Sequence, residues 1–117
     1  MNRVFSAIVV ILALAGTVQT ACFAAKVAGK ATVYSDSYQG KKTASGARYN
    51  RHAMTAASAQ LPLGTKVKVR NKQNGRSTTV VINDRKARGG AVIDLSKSAA
   101  NKLGVKGTAP VEAHTVK

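Results

Sequence analysis

The chain has 117 residues with a single cysteine, and its 19 Lys and Arg outnumber 4 Asp and Glu for a formal charge of +15. One cysteine excludes an internal disulfide framework, and the length allows one domain with a small core and a slim stability margin. The charge favours polyanionic partners and speeds encounter with them, but it carries no information about fold.

In chain order, residues 1–25 read as a secretory signal peptide: Arg3, then a run of apolar and small residues, then the ending Thr20-Ala-Cys-Phe-Ala-Ala25. The thirteen residues from Val4 to Gly16 fall short of the roughly 20 that a membrane span needs, so the product is expected to be exported to the periplasm or the cell exterior. Cleavage after Ala24 or Ala25 removes Cys22 and leaves a domain of residues 26–117. The alternative is a lipid anchor on Cys22, against which Gln19 stands where a lipoprotein signal has an aliphatic residue. Loss of Arg3 leaves 18 basic and 4 acidic side chains, a formal charge of +14.

Lys30 to Tyr34 reads as a strand and Ser35 to Thr43 as a loop. Thr65 to Arg70 alternates strictly, with Val67 and Val69 on one face and Lys66, Lys68 and Arg70 on the other, the period of a half-buried strand. Asn74-Gly75 suits a tight hairpin turn with positive φ, and the β-branched stretch from Ser77 to Ile82 is the returning strand. Ala91 to Ile93 is a further short strand. Ser96 can cap a brief helix that stops at Gly104, with Leu95 and Ala100 at hydrophobic-staple spacing. Thr108 to Val116 alternates again and closes the sheet. Short strands, one helix and Gly-marked turns make a mainly β chain, a small barrel.

Asp84 and Asp94 are half of the chain's acids and stand ten residues apart, on either side of Gly89-Gly90. Thr43-Ala-Ser-Gly-Ala-Arg-Tyr-Asn50, Ile82-Asn-Asp-Arg85 and Asp94-Leu-Ser96 occur together with Ala31-Thr-Val-Tyr34, Met54-Thr-Ala-Ala57, Leu61-Pro-Leu-Gly-Thr65 and Asn74-Gly-Arg76. In order and spacing these segments resemble the rare lipoprotein A (RlpA-like) family, over about Gly29 to Val111.

The resemblance implies a six-stranded double-psi β-barrel acting on peptidoglycan as an endolytic lytic transglycosylase. In that reaction an acid protonates the glycosidic oxygen and the C6 hydroxyl of the muramic acid closes a 1,6-anhydro ring, so one carboxyl group can serve as acid and then base. Asp84 matches the candidate acid and Asp94 a second carboxylate near the same groove. Asp94 can equally be a residue that satisfies backbone donors ahead of the helix.

Departures from the pattern bear on the chemistry. Ala47 replaces the Glu of Thr-Ala-Ser-Gly-Glu, Ser58 replaces the His of Thr-Ala-Ala-His, and Lys86-Ala87 replaces Gly-Pro. Arg85, Lys86 and Arg88 surround Asp84 with positive charge, which favours an anion over an acid. The alternative function is therefore a non-catalytic, expansin-like module that binds wall glycan. Tyr34, Tyr38 and Tyr49, flanked by Lys41, Lys42, Arg48 and Arg51, suit stacking on a sugar with anionic substituents, unless one or two of them fill the core. Thr32, Ser45, Thr55, Ser58 and Arg85 are further candidate contacts.

His52 and His114 are 62 residues apart in sequence with no third ligand, so neither a metal nor a cofactor is expected, and both histidines read as surface residues. The expected partners of this monomer are peptidoglycan strands and other anionic wall polymers. A nucleic-acid partner finds no recognisable motif.

Overall fold

A computed structural model describes residues 26–86 and 90–116. The signal peptide with Cys22, and Ala87 and Arg88 in the loop before Asp94, lie outside the described residues. Six strands are present: β1 (Lys26–Val33), β2 (Thr55–Ser58), β3 (Lys66–Asn71), β4 (Ser77–Asp84), β5 (Ile93–Leu95) and β6 (Thr108–Thr115), with one helix, α1 (Lys97–Leu103), and a 3-10 turn at Asp36–Tyr38. They close into a barrel in the order β1-β5-β2-β4-β3-β6. β1 with β5 and β2 with β4 run parallel, and the remaining neighbours run antiparallel. This is the mainly β, six-stranded double-psi barrel with one short helix that the resemblance implied.

Alternation sets the faces. Along β3 exposed and buried residues alternate without a break, so Val67 and Val69 enter the interior beside Val80 and Ile82 of β4, Ile93 and Leu95 of β5 and Val111 of β6. Helix α1 packs against β4 and β5 and adds Ala99, Ala100 and Leu103 to the same core. Ser96 caps it as expected, its Oγ accepting from Ala99 N, and Gly104 ends it at φ 73°. Leu95 and Ala100, the staple pair, are both buried in that core.

Three local expectations shift. β1 begins at Lys26, four residues earlier than Lys30, because β6 offers an eight-residue partner with Lys26 opposite His114 and Thr32 opposite Thr108. The last short strand is Ile93–Leu95 rather than Ala91 to Ile93, since Leu95 pairs with both Val33 and Ala56. The β3–β4 connection is longer than a two-residue turn. Asn71 N donates to Arg76 O at 2.8 Å and Gly75 N to Asn71 O at 2.8 Å, so Lys72 to Gly75 form a four-residue loop in which Gly75 alone takes positive φ. Asn74 instead uses its side chain: Oδ1 accepts from Arg76 N, and Nδ2 donates to Leu103 O at 2.9 Å. Buried Asn71 donates to the same carbonyl, so the hairpin satisfies the C-terminal end of α1.

Candidate functional site

Two features of the sheet build the site. The first is a row of paired positions, Thr32 with Asp94, Asp94 with Ala57, and Ala57 with Asp84, which crosses β1, β5, β2 and β4. Ala31, Ala56, Ile93 and Leu95 point into the core, so their neighbours Thr32, Ala57 and Asp94 face outward.

The second is a slip of register between Ala56 and Ala57: Ala56 pairs with Ile82, yet Ala57 pairs with Asp84. By alternation Asp84 would follow Val80 and Ile82 into the interior. The one-residue offset, with Asn83 as the extra residue, turns it to the outer face beside Ala57 instead, the effect of a bulge. Two strand spacings of about 4.8 Å then put the Cα atoms of Asp84 and Asp94 about 10 Å apart. The small side chain between them is Ala57.

Asp84, Asp94, Ala57, Tyr34, Tyr38 and Arg85 line a groove of about 520 Å³. Asp84 is held at both oxygens. Tyr34 OH donates to Oδ2 at 2.6 Å, while Ala44 N and Arg85 N donate to Oδ1 at 2.8 and 2.9 Å. The Ala44 donor comes from the loop Thr43 to Ala47, which folds back on itself through Gly46 N to Thr43 O and Thr43 N to Ala47 O and is tied to β4 by Ser45 N to Asn83 O. Asp94 accepts a hydrogen bond from the Thr32 hydroxyl. Both carboxylates are half-buried.

Tyr34 lies over Tyr49 with ring centroids 4.3 Å apart and planes within 8°, and Tyr38 meets it edge-on at 5.7 Å. Tyr49 is 2% exposed, and its hydroxyl accepts from Lys97 N at 3.2 Å. It is thus the core support of the cluster rather than a sugar-facing ring, while Tyr38 is 48% exposed with the Lys41 ammonium 5.6 Å from its centroid. The Tyr34 phenol is pushed well above its ordinary value, first by burial, then by its hydrogen bond to Asp84 and by the negative charges of Asp84 and Asp94. Across the physiological range it stays a donor.

The structure brings Tyr34, Tyr38, Asp84, Asp94 and Arg85 to one groove, with Thr32 behind Asp94, and directs other candidates elsewhere. The Ser58 side chain is fully buried and accepts from Gln60 N and Leu61 N at the end of β2. The Arg85 guanidinium donates to Leu61 O, so its charge is turned from the Asp84 carboxylate onto the turn that Ser58 shapes. Ser45 Oγ pairs with Thr43 Oγ1 at 2.9 Å inside its own loop. Thr55 is a register step below, its Oγ1 buried without a partner among the described residues. His52 and His114 are both exposed. Sequence reading missed Ala57, Val33 and Ser35 in the lining and the Ala44 amide, since small residues and backbone donors leave no pattern.

The family model described as "Lytic transglycolase" matches residues 26–113, all six strands but for the last residues of β6. The chain belongs to the lytic transglycolase family. Among curated relatives, the "Probable endolytic peptidoglycan transglycosylase RlpA" of Synechocystis sp. is 50% identical over 78 residues, which is 66% of this chain and 24% of that protein. The chain therefore spans about a quarter of the length of that family member. Among solved structures, a Streptomyces papain inhibitor superposes with a TM-score of 0.63 at 25% identity, covering 80% of this chain and 96% of that one. The Clavibacter michiganensis expansin gives 0.60 at 25% identity, covering 80% and 51%. The lytic transglycolase barrel is thus shared with proteins whose names describe different activities.

Proposed function

We propose that residues 26–117 form an exported monomer that acts on peptidoglycan in the periplasm or cell wall, as an endolytic lytic transglycosylase with Asp84 as acid and then base. The observation that carries this reading is the placement of Asp84. A register slip turns it out of the core, three donors fix its carboxyl group, and it faces a groove that a second carboxylate shares.

In the proposed reaction Asp84 delivers a proton to the glycosidic oxygen as the bond to C1 breaks. The same carboxylate then takes the proton of the C6 hydroxyl as that oxygen bonds to C1 and closes the anhydro ring, so no water enters and the proton count balances. Asp94, fixed by Thr32, places negative charge where the sugar becomes cationic. Tyr34 keeps Oδ2 oriented throughout.

Mass spectrometry of soluble products from purified peptidoglycan tests the reading. Anhydromuramic ends are expected, and Asp84→Asn should lower their yield at least about a hundredfold, the range for general acid–base groups. Retained cleavage in that variant would remove Asp84 from the role.

The composition of the site favours a second reading. Ala47 stands where lytic members carry a Glu, and the Ser58 hydroxyl is buried in its own turn, so neither supplies a polar group to the groove. A non-catalytic wall-glycan module of the expansin kind fits such a site. It predicts co-sedimentation with the wall and no soluble products.

A further inference from the structure

A second hollow of about 320 Å³ adjoins the groove and shares Val33, Tyr34 and Ser35 with it, opening onto α1 and the turn before β6. Because Tyr34 lines both, a glycan strand laid along the groove and continued over Tyr34 would reach this hollow. The two differ in charge. The groove is lined by two acids, Asp84 and Asp94, and two bases, Arg85 and Lys86, whereas the hollow is lined by Lys97, Lys106 and Asn101 with a single acid, Asp36.

Asp36 is already occupied: its Oδ1 lies 3.6 Å from Lys97 Nζ and 3.7 Å from Arg51 Nη1. Lys106 is exposed and makes no ion pair among the described residues. The lining thus holds two cations against one carboxylate that Arg51 also shares from outside it, and the surplus positive charge borders a hollow large enough for a substituent. The Lys97 side chain is 47% exposed even with its ammonium paired to Asp36, so solvent and a ligand reach both lysines.

We propose that this hollow is a specificity site for a carboxylate carried on a glycan substituent, held by Lys106 and Lys97 while the sugar backbone crosses Tyr34. The inference rests on a glycan occupying the Asp84 groove. Two sources supply the same chemistry: the lactyl carboxylate of muramic acid on stripped strands, and the carboxylates of stem peptides on intact strands. A neutral chitooligosaccharide offers neither.

The test is equilibrium binding of all three ligands to the wild-type domain, to Lys106→Gln, to Lys97→Gln/Lys106→Gln, and to a control pair, Lys66→Gln/Lys68→Gln, which removes equal charge from the outer face of β3. The Lys97/Lys106 pair should weaken carboxylate-bearing strands roughly three- to tenfold, the scale of two exposed ion pairs, and leave the chitooligosaccharide unchanged. A loss confined to intact strands assigns the site to stem peptides, a loss confined to stripped strands assigns it to the lactyl carboxylate, which is amide-bonded on intact strands, and a loss on both means that the site accepts either carboxylate. Because Lys106 makes no ion pair among the described residues, Lys106→Gln alone should show part of the effect without disturbing the fold. Equal losses in the control pair, equal losses on the neutral ligand, or no loss on any ligand would overturn the proposal. Cleavage assayed in parallel separates the readings: Asp84→Asn can retain cleavage while lysine-dependent binding persists, and the converse is equally visible.

Discussion

Tyr34 is fixed by its ring and by its hydroxyl, and the two contacts can be removed separately. Tyr34→Phe keeps the stack on Tyr49 and takes one donor from Asp84. Cleavage should fall roughly tenfold or more while stability drops by only about 1 kcal/mol, the net worth of one hydrogen bond, read by product yield and by urea denaturation. The same hydroxyl makes a prediction in alkali. The folded protein holds the Tyr34 proton more tightly than the unfolded chain, through burial first and then Asp84, and burial raises Tyr49 in the same direction. A raised value stabilises fully below the unfolded value of about 10 and is lost as pH climbs beyond it. Denaturation from pH 8 to 11 should therefore cost the wild type more stability than Tyr34→Phe; equal losses would mean that this phenol is not held as described.

At the level of elements, Ser96 joins three pieces of chain. Its Oγ donates to Ala53 O at 2.6 Å and accepts from Ala99 N and Thr55 N. Ser96→Ala should cost about 2 kcal/mol, a lost cap together with a buried carbonyl left unpaired, measurable as a lower urea midpoint. Gly104→Ala should cost about 1 to 2 kcal/mol, because φ is 73° there and non-glycine residues resist the left-handed region. The new Cβ would also lie 2.8 Å from Asn74 Nδ2 and 3.2 Å from Arg76 Nη1, pressing on the hairpin that satisfies the helix end.

These caps were legible in the sequence because a Ser before and a Gly after an apolar run are local signals, and strict alternation exposed β3 in the same way. Strand β2 was not legible. Thr55-Ala-Ala-Ser58 contains small residues that fit a strand only because β4 and β5 flank it. The site divided along the same line. Asp84 and Asp94 could be picked out as rare acids in a basic chain, but the slip that turns Asp84 outward depends on pairing between strands 27 residues apart at Ala57 and Asp84, and no local pattern encodes it. Arg85 keeps its place in the groove lining, but that its guanidinium reaches Leu61 O is a tertiary fact, whereas Ser58 closes a local turn onto Gln60 N and Leu61 N that its place in the motif did not announce.

On the scale of the whole molecule, cations cover the outer faces of the sheet: Lys66, Lys68 and Arg70 on β3 are all exposed, and of the three Arg70 lies 3.7 Å from Glu112. Electrostatic binding to a polyanion through such a surface, as the proposed wall association requires, is screened by salt, with a Debye length of about 10 Å at 0.1 M. Co-sedimentation with purified walls should therefore fall several-fold between roughly 50 and 300 mM salt, and retention indifferent to salt would place recognition in the groove alone. A protein this basic gathers on polyanions and meets its own copies at high local density. There an open sheet border would template aggregation. Each of the six strands here has two neighbours, so none of them lies open along a whole side, and crowding finds only short stretches such as β1 from Lys26 to Gly29, which pairs with β6 but extends past β5. Among the described residues the same closure confines strand addition by a partner to such short stretches, which leaves most recognition by this domain to side chains and loops.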